Sequence, residues 1–149
     1  LFLCPHRMQG ASMEQTFTRS VDELQVIVAA TDGFFAPRGV AASIRMAVDL
    51  SIEELFVNMV TYNLGTDHPI LLQMQALDHG VRVSLTDYNV EPFDPSHAPG
   101  VDIDAPLDQR EPNGLGLYLV SKMVDSIHYE YRNRESKVTF TKTVGQADA

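Results

Sequence analysis

The sequence is short of cations, has a single cysteine and lacks tryptophan altogether. Lys and Arg number 11 against 20 Asp and Glu, a formal net charge of −9. A general nucleic-acid binder needs a cationic face to displace counterions, so the balance argues against direct nucleic-acid contact. It leaves room for a nucleotide, because Mg²⁺ and backbone N–H groups can offset phosphate charge. With Cys4 alone, neither an intramolecular disulfide nor a cysteine zinc site can form, and a reducing cytoplasm is the expected compartment. No apolar run approaches the ~20 residues of a membrane span, and Leu1–Cys4 is too short for a signal core. His6, His68, His79, His97 and His128 show no metal-ligand spacing.

What is present suits one globular domain: 149 residues, 44% of them apolar, enough to bury a core. Residues 1–12 read as a disordered or non-native tail, with Met8 or Met13 as the expected natural start, and residues 145–149 as a second tail. The domain is expected over residues 13–144. Met13–Arg19 alternates like an edge strand. Ser20 with Glu23 has capping-box spacing before an apolar helical face running to Phe35. Val40–Asn63 repeats apolar residues at a 3.6 period, and Gly65 is expected to end that helix. Pro69–Leu77 and Val81–Asp87 read as strands around a tight Asp78-His79-Gly80 turn. Residues 88–113 hold five prolines and no regular period, which suggests a long functional loop. A helix over Gly114–Asp125 and strands over Ser126–Tyr131 and Lys137–Val144 complete the chain. This order predicts an α+β, two-layer α/β sandwich.

Three groups of residues could carry chemistry. Glu54 and Asn58, four apart, share one helical face, where an amide oxygen can meet Mg²⁺ and a carboxylate can take a proton. The same pair is common on a plain solvated helix. Asp87 ends an apolar strand and could accept a hydrogen bond from an exocyclic amine, or simply cap a turn. Asn113-Gly114-Leu115-Gly116 precedes a helix, where glycines and N-terminal N–H groups favour phosphate, although a turn needs the same residues. Tyr62 and Asn63 could line a pocket or pack a helix end.

Taken together and in this order, these residues resemble the anti-sigma-factor serine-protein kinases, small members of the GHKL, histidine-kinase-like ATPase superfamily with the Bergerat fold. Glu54-x-x-x-Asn58 resembles the N-box. Asp87 with Pro92-Phe93-Asp94-Pro95 resembles the G1 box and its tail. Gly114-Leu115-Gly116 and the helix after it resemble the G2 box. The resemblance covers about Glu14 to Val144, implies a mixed, mainly antiparallel sheet with helices on one face, and makes residues 88–113 an ATP lid.

It implies ATP and Mg²⁺ as cofactors, with Asn58 on the metal and Glu54 as the base toward an attacking hydroxyl. Asp87 would read adenine, with Asn89 and Phe93 beside it. Asn113, Gly114, Leu115 and Gly116 would hold phosphates. It implies phosphorylation of a Ser or Thr on a STAS-type anti-anti-sigma partner, sequestration of a sigma factor, and a homodimer built through Met13–Phe35. The sequence departs from the pattern in three places. Asn89 stands where Asp-x-Gly has glycine, one extra residue precedes Pro92, and Asn113 replaces the first glycine of Gly-Gly-Leu-Gly. Asparagine tolerates positive φ, so the Asn89 turn is expected to survive. The lid carries one basic residue, Arg110. These departures motivate an alternative: a degenerate nucleotide-binding domain that works as a protein-binding regulatory module.

Overall fold

A computed structural model describes residues 11–92 and 112–144, with the backbone alone for 112–117. Ten elements follow one another, eight of them the strands and α-helices of a two-layer sandwich. They are β1 (Ser12–Phe17), a 3₁₀ turn (Val21–Glu23), α1 (Leu24–Phe35), a second 3₁₀ turn (Ala36–Arg38) and α2 (Ala42–Tyr62). Then come β2 (Ile70–Leu77), β3 (Gly80–Tyr88), α3 (Pro112–Met123), β4 (Ser126–Arg132) and β5 (Glu135–Thr143). The strands form one sheet in the order β1-β2-β3-β5-β4. All four pairings are antiparallel, so the parallel pair that a mixed sheet would contain does not occur among the described residues.

Period-two alternation decides which face is buried. Ile70, Leu72 and Met74 of β2, Val81, Val83 and Leu85 of β3, and Val138 and Phe140 of β5 all point into one core. Register aligns them across strands: Val83 lies opposite Phe140 and Leu85 opposite Val138. The same parity places Asp87, at the end of β3, on the helix-covered face opposite Ser136. The other face is polar, with Gln73 donating to Glu14 (3.2 Å) and Arg82 to Gln75 (3.3 Å). Helix α2 supplies Ile44, Val48, Ile52, Leu55, Phe56 and Met59 to the core at helical spacing. Each such side chain contributes roughly 1.5–3 kcal/mol of burial.

Local chemistry sets the element ends. Ser20 caps the first 3₁₀ turn, but its hydroxyl accepts from Asp22 N (3.1 Å), so the Ser20–Glu23 capping box does not form as expected. Gly39 takes the left-handed conformation (φ 60°) that stops the turn after α1. Helix α2 ends at Tyr62 with Asn63 as its C-cap, two residues before Gly65. Gly80 closes the two-residue β2–β3 hairpin. A Cβ there would lie 2.1 Å from Lys142 O, so β5 passes too close for any side chain. Asn133 (φ 53°) and Arg134 (φ 65°) make the β4–β5 hairpin turn, the pair of positive angles such a turn requires. Helix α3 begins at Pro112, not at Gly114, because proline is preorganised for the first helical position. Ser12, assigned to the tail from sequence, pairs with Gln75 in β1.

Candidate functional site

Helix α2 presents Glu54 and Asn58 one turn apart, as their spacing predicts. Asn58 is buried (2% exposed) and its Nδ2 donates to the backbone oxygen of Glu54 at 2.6 Å. Its Oδ1 is buried with no hydrogen-bond partner. A buried amide oxygen left unpaired costs roughly 1–3 kcal/mol, and such orphans mark places where a cation or donor belongs. Glu54 remains partly exposed. Burial, and then the neighbouring Glu53 charge, raise its pKa above the ordinary glutamate value.

Asp87 sits at the end of β3, wholly buried. Its carboxylate is engaged on both oxygens. Arg19 Nη1 ion-pairs with Oδ1, Arg19 Nη2 donates to Oδ2 at 3.2 Å, and Asn63 Nδ2 donates to Oδ2 at 2.6 Å. Arg19 also donates to the backbone oxygens of Met59 (2.9 Å), Asn63 (3.1 Å) and His68 (3.3 Å). One guanidinium therefore joins the end of β1, the C-terminus of α2 and the end of β3. Cations are favoured at a helix C-terminus, which suits this position.

Sequence reasoning missed Arg19. Its only signal is a basic residue at a strand end in an acidic chain. Asn63, left open between pocket and packing, does both. It binds Asp87, and with Tyr62, Gly65, Asn89, Glu91 and Arg134 it lines a small cavity of about 170 Å³.

Asn89 adopts φ 60°, the left-handed conformation its type was expected to tolerate. Its turn is fastened to the β4–β5 hairpin. Arg134 Nε donates to Asn89 Oδ1 (3.0 Å), Arg134 Nη1 to Glu91 Oε1 (3.0 Å), and Val90 N to Arg134 O (3.0 Å). The extra residue before Pro92 is accommodated there, with Val90 buried and its oxygen accepting from the Tyr131 hydroxyl (2.9 Å). Phe93 and the rest of Phe93-Asp94-Pro95, with Arg110, lie outside the described residues. Asn113, Gly114, Leu115 and Gly116 fall within the first turns of α3 rather than just before a helix. Helix α3 packs on α2, the helix carrying Glu54 and Asn58.

The donor set fits magnesium on the α2 side. Mg²⁺ keeps most of its waters and needs only one or two protein oxygens besides phosphate, and Asn58 Oδ1 is such an oxygen. Among the described residues no group of three or more His, Cys, Asp or Glu could hold a metal by itself. The base side does not fit as the structure stands, because Asp87 is covered and both its oxygens are taken.

The sequence profile described as the Histidine kinase-like ATPase domain matches residues 17–142. The chain belongs to that family. Among solved structures, this ATPase domain resembles the RsbU and RsbW domains of Rv1364c from Mycobacterium tuberculosis. The TM-score is 0.64 and the identity 18%, over 89% of this chain and 32% of that one. It therefore spans about a third of that chain, and the likeness shows the shared fold. The histidine kinase domain of a blue-light activated histidine kinase from Erythrobacter litoralis aligns at TM-score 0.48 and 14% identity, over 96% of this chain and 70% of that one. No curated protein sequence matches the chain. Among the described residues of this ATPase domain no helix is long and apolar enough to cross a membrane.

Proposed function

We propose that the chain is an ATP- and Mg²⁺-dependent serine/threonine-protein kinase acting as an anti-sigma factor. Its substrate would be a Ser or Thr of a STAS-type anti-anti-sigma protein, and it would sequester a sigma factor in the cytoplasm, with residues 13–144 as the working domain. The observation that carries this reading is the buried, unpartnered Oδ1 of Asn58 one turn from Glu54, in a chain of the histidine kinase-like ATPase family. Bound Mg²⁺ would supply neutralisation of the phosphate charge, which phosphoryl transfer needs more than covalent chemistry. Asn58 would offer Oδ1 to the metal and is held by its bond to the Glu54 carbonyl. Glu54 would accept the proton of the attacking hydroxyl, and its raised pKa brings it nearer the range where a carboxylate serves as a base. Asn113 and Gly114, in the first turn of α3, would provide backbone N–H groups to phosphate, with Leu115 and Gly116 following them in the helix. A homodimer would use the Met13–Phe35 side, and the half-exposed Val21, Val26 and Val28 there support this reading.

Transfer of labelled γ-phosphate to the STAS proteins of the same genome tests the proposal. Wild type should transfer to one of them, and Glu54→Ala should lose roughly 10²–10⁴-fold. Tight MgATP binding with transfer to none of them overturns the kinase. The Arg19–Asp87 pair favours a second reading, a regulatory module that acts by protein contact. In that case Glu54→Ala leaves partner binding unchanged.

A further inference from the structure

We infer that Arg19 is a built-in competitor for Asp87, so that base recognition requires Arg19 to leave the carboxylate. The inference rests on the ATP-binding reading above, with Asp87 in the adenine-reading role that the family resemblance implies, and adds the control of that site. The 6-amino group of adenine is a hydrogen-bond donor and needs a reachable, negative acceptor. Asp87 is not reachable in this structure. It is wholly buried, its charge is paired with Arg19, and Asn63 donates to Oδ2 at 2.6 Å.

Arg19 cannot serve the base in its place. Its two terminal nitrogens already donate to Asp87 and to the oxygens of His68, Met59 and Asn63. Those three carbonyls belong to the end of α2 and the segment after it, so Arg19 keeps acceptors of its own if Asp87 turns to a ligand. Arg19 also lies on the short link between β1 and the first 3₁₀ turn, where Ser20 N donates to Thr18 O (2.9 Å). Its side chain can therefore withdraw without unpairing a strand. Arg19 is thus a positioning residue, acting on the nucleotide through Asp87.

Calorimetric titration with the magnesium complexes of ATP and of a purine nucleoside triphosphate lacking the 6-amino group tests this. Wild type should bind the two within a few-fold of each other. Arg19→Ala should favour ATP by about tenfold or more, the usual worth of a hydrogen bond to a charged acceptor. Arg19→Lys, which keeps a cation at Asp87, should restore the low ratio. Arg19→Gln takes the place of the alanine variant if that one does not fold.

A merely structural Arg19 would weaken both nucleotides alike, and an unchanged ratio in the folded variants overturns the inference. So does a wild-type protein that already prefers ATP tenfold. Absence of binding of either nucleotide to folded wild type and variants overturns the inference together with the nucleotide site beneath it.

Discussion

Asp87→Ala should destabilise the fold by about 3 kcal/mol, quite apart from any effect on ligand. Removing one partner of a buried ion pair typically costs ~3–5 kcal/mol, because the other charge is stranded. The structure points to the lower end. Arg19 keeps three backbone acceptors, on Met59, Asn63 and His68, and its side chain remains 9% exposed. Asn63 loses the 2.6 Å bond from Nδ2. Urea unfolding followed by circular dichroism measures the loss. With a slope of roughly 2 kcal/mol per molar, the midpoint should fall by about 1.5 M. The double variant Arg19→Met/Asp87→Leu should recover most of that loss, since apolar replacement of a buried pair is often neutral or stabilising. A midpoint drop below about 0.3 M for Asp87→Ala, equal to that of an ordinary surface change, would refute the reasoning. Loss of nucleotide binding in Asp87→Ala must therefore be read beside its stability.

Three further outcomes are expected. Glu54 has a raised pKa, so its folded form holds a proton that the unfolded chain has released; its contribution is full below about pH 4.5 and fades as pH rises through the folded value. Glu54→Gln should flatten stability above pH 4.5, and a pH series of urea midpoints checks this. Asp125 runs the other way: Thr143 N and Oγ1 donate to its Oδ2 (2.5 and 2.8 Å) and lower its pKa, so its contribution is present above about pH 3.8 and lost as pH falls through the folded value. Asp125→Asn should weaken that acid dependence in acid-unfolding curves. Asn89→Ala forces a Cβ without a local polar partner into φ 60° and removes the acceptor of Arg134 Nε, which should cost about 1–2 kcal/mol in thermal melts, whereas Asn89→Gly should stay within about 1 kcal/mol of wild type.

The two-layer fold was legible because its elements are strongly periodic. The apolar spacing of α2 and the alternation of β2, β3 and β5 translate directly into buried faces. Element ends were less so. Gly65 looked like a helix stop, yet Asn63 already ends α2, tied down by the bond to Asp87. Gly114-Leu115-Gly116 looked like a turn before a helix, yet Pro112 starts α3 earlier. In the candidate site, Glu54 and Asn58 were legible because helical spacing is local. The left-handed angle at Asn89 followed from residue type. Arg19 was not legible, since a partner 68 residues away leaves no periodic trace. Nor could spacing reveal that Asp87 would be paired before any ligand arrives.

The sheet order β1-β2-β3-β5-β4 also bears on how the chain tolerates change. β2–β3 and β4–β5 are tight hairpins that can form locally. The central seam between β3 and β5 must instead bring Tyr88 beside Glu135 across the whole excursion through α3. The entropy of closing such a loop grows only logarithmically, so doubling its length costs about 0.6 kcal/mol. The stretch that follows Glu91, past the contacts of Asn89 and Val90 with the β4–β5 hairpin, can thus change length at little expense to the sheet. The length of that connection is thermodynamically permissive, while the seam it interrupts stays fixed in register.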